Sequence, residues 1–246
     1  NLHDHFFFPL TFLAPKCRHR GTAFYFLGGF INEWLHKGKT WFGRTVFESG
    51  AFIKTDPSQR IPNLQLHSLP WAYPAPNQDA PGPPNVDKRP ALTVLPTVLY
   101  PKSRGTLTLR SNAPTDAPII DPNFLAQPDD LKTLLAGIKL TREIMSHAHI
   151  KDFIDGELEP GPNFFNESNL RKEIPNRICT VYHPVGTCRM GSDERSVVDP
   201  SLKVNGIEGL RVADAAIMPS ITGGNTNAPS ILIGEKAADF IQAGWT

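Results

Sequence analysis

Proline and glycine constrain this chain most. There are 24 Pro and 19 Gly among 246 residues, about one position in six against roughly one in eight in an average protein. Each proline removes a backbone donor and fixes φ, while glycine frees the backbone for turns and close approaches. Short elements joined by many turns and much irregular backbone are expected. Hydrophobic residues still make up 40% and charged residues 20%, enough to bury a core, so disorder is excluded for most of the chain. The length suits one large domain or two modest ones.

Formal net charge is +1, from 25 Lys+Arg against 24 Asp+Glu, and no strong basic cluster stands out. A nucleic-acid partner is not expected on that balance. No run approaches the ~18 apolar residues that span a bilayer. Cys17, Cys179 and Cys188 are odd in number and form no C-x-x-C pair, which points to free thiols and a reducing, cytoplasmic setting rather than a disulfide framework or structural zinc. The chain opens on Asn1 without a charged, apolar leader, and reads as a processed product or a fragment.

Along the chain, Thr45–Ile53 has strand composition with Gly50 inside it, as a bulge or a close approach requires. Residues 70–90 hold seven prolines and read as a long loop. Leu92–Leu95 and Thr106–Leu109 alternate with period two, and Lys102–Gly105 supplies a turn between them. A helix is expected from Pro128, with Leu131, Leu134, Leu135, Ile138 and Met145 on one face and Asp129 and Asp130 at its positive end. A polar loop at 155–166, a helix at 167–177, and short strands at Ile178–Tyr182 and Leu210–Val212 follow. The last helix starts at Asn227 as N-cap, with Pro229 in its first turn.

Two segments can carry chemistry. In Tyr182-His183-Pro184-Val185-Gly186, a histidine ends a strand and enters a Pro/Gly turn, which holds a group of near-neutral pKa firmly yet within reach. In Gly224-Asn225-Thr226-Asn227-Ala228-Pro229, polar side chains and backbone donors gather at a helix start, where negative charge is stabilised. A satisfied structural histidine and an ordinary N-cap explain the same patterns. His3/His5 and His147/His149 are H-x-H pairs, but no carboxylate or Cys completes a metal set at useful spacing. Lys16-Cys17-Arg18-His19-Arg20 reads as a solvated basic loop.

A series of ordered stretches adds to this reading: Tyr182–Gly191, Val198-Asp199-Pro200, Gly209–Pro219, Gly224–Pro229 and Ile233–Asp239. Pro101–Gly105 and Ile120–Asn123 precede them, and Asn1-Leu2-His3-Asp4-His5 opens the chain. Together they resemble the C-terminal part of the glucose–methanol–choline (GMC) family of FAD-dependent oxidoreductases, in the branch of choline and related alcohol dehydrogenases. The resemblance implies an antiparallel-sheet substrate-binding domain with helices at 1–175. It implies that 176–246 returns into a Rossmann-like FAD-binding domain, so the fold is mixed α+β and α/β. It implies that His183 is the catalytic histidine beside the flavin and that Asn225 is its catalytic partner. Asp214 and Ala215 would lie at the FAD pyrophosphate and ribityl chain, with Thr226 and Asn227 near the flavin pyrimidine edge. The implied reaction oxidises a primary or secondary alcohol. His183 takes the hydroxyl proton, Asn225 hydrogen-bonds the oxygen, hydride passes to flavin N5, and oxygen or a quinone-like acceptor removes the electrons.

Glu48 falls in a stretch similar to a family strand that lines the substrate cavity. It could meet a cationic substrate with Trp41, Phe42 and Phe47 beside it, or serve as a strand glutamate within the cavity's hydrogen bonds. The glycine fingerprint G-x-G-x-x-G of the N-terminal FAD-binding region is absent from the chain; Gly28-Gly29 lacks the following helix start and acidic partner. The chain alone is accordingly expected to be inactive and to need an N-terminal FAD-binding partner. A catalytically silent fragment or binding module, and a hydroxynitrile lyase that uses FAD without net redox, are the other readings.

Overall fold

A computed structural model describes residues 1–16, 23–36, 47, 49–73 and 89–244. In chain order its elements are β1 (Phe6–Phe7), β2 (Leu10–Leu13), α1 (Ala23–His36), β3 (Ser49–Ile53), β4 (Leu64–Leu69), β5 (Ala91–Val98), β6 (Thr106–Thr108), β7 (Ile119–Asp121), α2 (Pro128–Met145), β8 (Gly156–Glu159), α3 (Glu167–Arg177), β9 (Cys179–Thr180) and α4 (Asn227–Ala243). Two compact units divide the chain. A sheet unit comprises Phe7–Val98 and Lys132–Cys179; a terminal unit comprises Asn1–Phe6, Leu99–Leu131 and Thr180–Thr246.

The sheet runs β3-β4-β5-β1-β9, with β2 beside β5 and β8 beside β2. Pairings β2·β5, β2·β8, β3·β4 and β4·β5 are antiparallel. The fold is thus the expected mixture of antiparallel sheet and helices. Gly50 in β3 pairs with His67 in β4, and a Cβ there would meet the Leu66 carbonyl at 2.8 Å, so the close approach read from the sequence is real. Central strand β5 buries its threonines with its aliphatics. Thr93 Oγ1 accepts from Tyr73 N–H at 2.9 Å and donates to Trp71 O at 2.8 Å, which removes the penalty of burying a lone hydroxyl.

Helix α2 spans the segment its periodicity indicates. Leu134 and Ile138 are fully buried and Met145 nearly so; full burial stabilises by roughly 1.5–3 kcal/mol per large aliphatic side chain. Helix α3 covers the expected 167–177. Its N-cap is Asn166, whose Oδ1 accepts from Ser168 N–H at 2.8 Å, and Leu170 and Ile174 are its buried face.

The terminal unit shows the effect of the Pro/Gly content most clearly. From Val181 to Thr226 the described backbone is turns, isolated bridges and one short 3-10 helix, Ala215–Ile217. Its core consists of Val198, Leu202, Ile217 and Ala237, and of Val185, Met218 and Ile221. Several local expectations fail here. β6 pairs with β7 rather than forming a hairpin with β5. Leu210–Val212 forms no strand, only a bridge from Arg211 to Lys203. The strand at 178–182 shortens to β9. Thr226, not Asn227, is the N-cap of α4. In the sheet unit, the loop expected at 155–166 contains β8. Non-local pairing decides the strand cases among these, and a local period carries no signal for it. Most of the 70–90 loop lies outside the described residues.

Candidate active site

The site lies within the terminal unit and is built on its first five residues. His3 exchanges backbone hydrogen bonds with Val185 at 2.9 and 2.8 Å, and Val181 N–H donates to His5 O at 3.1 Å. On another side Leu2 exchanges bonds with Gly105 at 3.0 and 2.8 Å. The polar run His3-Asp4-His5 is therefore buried, and each of its side chains must find partners inside the protein.

Asp4 shapes the turn that presents His183. Its Oδ2 accepts the Thr180 hydroxyl and its Oδ1 accepts His183 N–H at 3.0 Å. Thr180 Oγ1 in turn accepts Tyr182 N–H at 2.8 Å. Between them Tyr182 is held at φ 61°, a left-handed conformation that costs a non-glycine residue about 1–3 kcal/mol and tends to accompany functional turns. Burial pushes the Asp4 carboxyl above its usual range, against the pull of its hydrogen bonds with Thr180, His183 and His5.

His183 is half-buried, and burial lowers its pKa. Its Nδ1 lies 3.0 Å from His5 Nδ1, and the two rings meet edge to face with centroids 5.3 Å apart. Its Nε2 lies 3.5 Å from Asn225 Nδ2. His5 is fully buried, with Nε2 at 2.9 Å from Leu99 O. Its pKa falls to about 4 through burial first and the neighbouring His183 second. His3 falls to about 4 as well, through burial and then the Arg104 guanidinium.

Asn225 is exposed at the end of a turn anchored by His3, whose Nδ1 accepts Ile221 N–H at 3.0 Å. At Gly223 a Cβ would sit 1.8 Å from Tyr100 Oη, so any larger residue there would have to displace the tyrosine ring. Thr226 is buried and Asn227 is the first residue of α4. The Thr226 side chain makes no cap hydrogen bond to this helix, whose leading N–H groups lie at the end where the dipole favours an anion. Asp214 is exposed; its Oδ1 accepts Ala216 N–H at 2.7 Å and starts the 3-10 helix. Ala215 is half-buried beside it. Cys188 N–H donates to Ala216 O at 2.9 Å and Met190 N–H to Ile217 O at 2.7 Å, which ties the segment after His183 to the Asp214 loop.

The structure thus brings His183 and Asn225 together, with Thr226 and Asn227 directly behind Asn225. Glu48, Trp41 and Phe42 lie outside the described residues. Phe47 is partly exposed, its ring 5.1 Å from that of His67. In the sequence His5 was legible as one of an H-x-H pair, and Asp4 and His5 as part of the opening stretch of the resemblance, without a role in the site; the signal for one was a charged, polar triplet wedged between Leu2 and the apolar Phe6-Phe7-Phe8. Among the described residues no group of three His, Cys, Asp or Glu could hold a metal, and no helix is long and apolar enough to cross a membrane. Cys179 and Cys188 are free thiols, Cys179 pushed up to about 11 by burial.

A histidine–asparagine pair beside a helix start has groups able to take up a proton and to donate to negative charge. Residues 101–234 match the family model of GMC oxidoreductases, and the chain belongs to that family, whose cofactor is FAD. It is 41% identical over 244 residues to an alcohol dehydrogenase [acceptor] of Pseudomonas putida, covering 98% of this chain and 43% of that protein. It is 36% identical over 245 residues to an oxygen-dependent choline dehydrogenase of Rhizobium rhizogenes, covering 98% and 44%. Among solved structures, a formate oxidase of Aspergillus oryzae studied for its FAD modification superposes with a TM-score of 0.84 at 25% identity, over 99% of this chain and 47% of that one. The chain spans less than half the length of these relatives.

Proposed function

We propose that the protein carrying this chain oxidises a primary or secondary alcohol to the carbonyl, with His183 and Asn225 as its catalytic pair. The observation that carries the reading is the placement of Asn225 Nδ2 at 3.5 Å from His183 Nε2, with the other histidine nitrogen already engaged by His5. A hydroxyl placed against this pair would give its proton to His183 Nε2, the nitrogen not turned to His5. Asn225 cannot take a proton; its amide N–H donates to the oxygen as negative charge develops. His183 is suited to the task because burial lowers its pKa and keeps the ring neutral and able to accept.

The residues present fit FAD, since the α4 start presents backbone donors that the Thr226 side chain does not cap. Thr226 and Asn227 would hold its pyrimidine edge, and Asp214 and Ala215 its pyrophosphate and ribityl chain. When bound, FAD supplies the two-electron acceptor for the carbinol hydride. Function divides the chain into a substrate-binding part, 1–175, and a cofactor-side part, 176–246. The exposed Ile231 and Leu232 of α4 support a reading in which this helix packs against further parts of a cofactor domain.

The test is an anaerobic titration of the full-length, FAD-loaded protein with primary and secondary alcohols. The flavin absorbance is expected to bleach, and His183→Ala to slow bleaching ~10²–10⁴-fold. Absence of bleaching with every alcohol tried overturns the reading.

A further inference from the structure

We infer that His5 is a positioning residue that dictates which nitrogen of His183 is basic. The inference rests on the reading of His183 as the proton acceptor and extends it to a residue that does not touch substrate. Its starting point is the Leu99 carbonyl, which can only accept. It lies 2.9 Å from His5 Nε2, so His5 carries a proton on that nitrogen.

His5 is fully buried, and the groups facing its ring are His183, His3 and the Leu99 and Thr222 carbonyls. A neutral imidazole protonated at Nε2 has a bare lone pair at Nδ1. That lone pair lies 3.0 Å from His183 Nδ1. Two bare nitrogens at this distance would repel, so His183 must supply the hydrogen. Neutral His183 therefore carries its proton on Nδ1 and leaves Nε2 as the acceptor. Asn225 Nδ2, a donor, faces this second nitrogen and agrees with the assignment. His5 thus gives a buried, fixed acceptor the orienting role that a carboxylate fills beside other catalytic histidines.

His3 repeats the device next to it. Ile221 N–H donates to His3 Nδ1 at 3.0 Å, so His3 is protonated at Nε2 and donates to Pro101 O at 2.7 Å. One histidine of the opening segment orients His183, and the other anchors the turn that ends at Asn225.

The experiment is nitrogen NMR of the full-length, FAD-loaded protein labelled in its histidine rings, with His183 assigned by comparison with His183→Ala. A proton on Nδ1 of His183 and on Nε2 of His5 is expected. In His5→Phe the acceptor is gone; the His183 preference for Nδ1–H is expected to vanish and kcat for alcohol to fall ~10²-fold, with KM changed less than about threefold. In His5→Asn, Oδ1 stands where Nδ1 stood, and both the Nδ1–H form and at least ~10-fold of kcat should return. A wild-type His183 protonated on Nε2, or an unaltered kcat in a folded His5→Phe, overturns the inference. If His5→Phe does not fold, the wild-type spectrum decides. If no alcohol reduces the flavin, the functional reading fails, and the spectrum still supports or overturns the role of His5.

Discussion

Asp4 Oδ1 accepts the backbone N–H of His183 at 3.0 Å across a sequence separation of 179 residues. The same carboxyl takes the Thr180 hydroxyl, so one buried side chain holds both ends of the turn that presents the candidate base. The turn that carries His183 is thus held by a residue near the other end of the chain.

Asp4→Ala is expected to leave the His183 N–H and the Thr180 hydroxyl unpaired inside the protein, at a cost of about 1–3 kcal/mol. Asp4→Asn keeps an acceptor for His183 and removes a charge that burial disfavours, so its loss should be less than half as large. Urea denaturation of the two variants checks the order, and equal losses would show that the turn does not depend on this acceptor.

Acid should destabilise the protein below neutrality. Folded His3 and His5 protonate only near pH 4, against 6.5 for the free side chain. The unfolded state therefore binds more protons through that window, and stability present in full above pH 6.5 is lost as pH falls toward 4, by up to about 3 kcal/mol per histidine. Asp4 acts in the opposite sense, because its raised carboxyl regains stability as it protonates. The urea midpoint should drop from pH 7 to pH 5, and drop by roughly half as much in His3→Asn. A midpoint flat across that range would contradict the buried neutral histidines.

In the sheet unit, Arg142 grips Glu157 through two bonds of 2.8 Å, and the Glu157 side chain is only 3% exposed. Arg142→Ala should cost about 3–5 kcal/mol, since it strands a buried carboxylate. Replacing both by Arg142→Met and Glu157→Leu should recover most of that loss. Thermal unfolding of single and double variants provides the test, and a double variant no better than the single would point to packing rather than charge.

Asn225→Ala should lower kcat ~10²-fold by removing a donor to the developing negative charge, with the His183 tautomer unchanged. Steady-state kinetics with and without the variant would show whether the loss falls on kcat, as a transition-state contact requires, or on KM alone.

Local patterns carried α2 and α3 well, but not α1 (Ala23–His36), for which the sequence reading placed no helix. The spacing of Leu134, Ile138 and Met145 and the acidic start of α2 are one-turn signals, and Asn166 and Leu170 mark α3 in the same way. The pairing of β6 with β7 was not legible, because Thr106–Thr108 alternates equally well toward any partner. Thr226 displaced Asn227 as N-cap of α4 without making a side-chain cap bond, so the polar run there named the region of the helix start but not its register. His183 and Asn225 stood out in the sequence; Asp4 and His5 did not, since nothing within a few residues tells a buried polar triplet from an exposed one.

What the sequence by itself determined was the alphabet of short elements, through its Pro/Gly density, and the two segments able to hold chemistry, through residue types and spacing. Only the tertiary structure decided that His3, Asp4 and His5 lie beneath them. Hydrogen bonds such as His5 to His183 and Asp4 to Thr180 join residues more than 170 positions apart. Those contacts form only when the core has excluded water from the opening segment, and a buried donor or acceptor must then find whatever partner the fold brings to it.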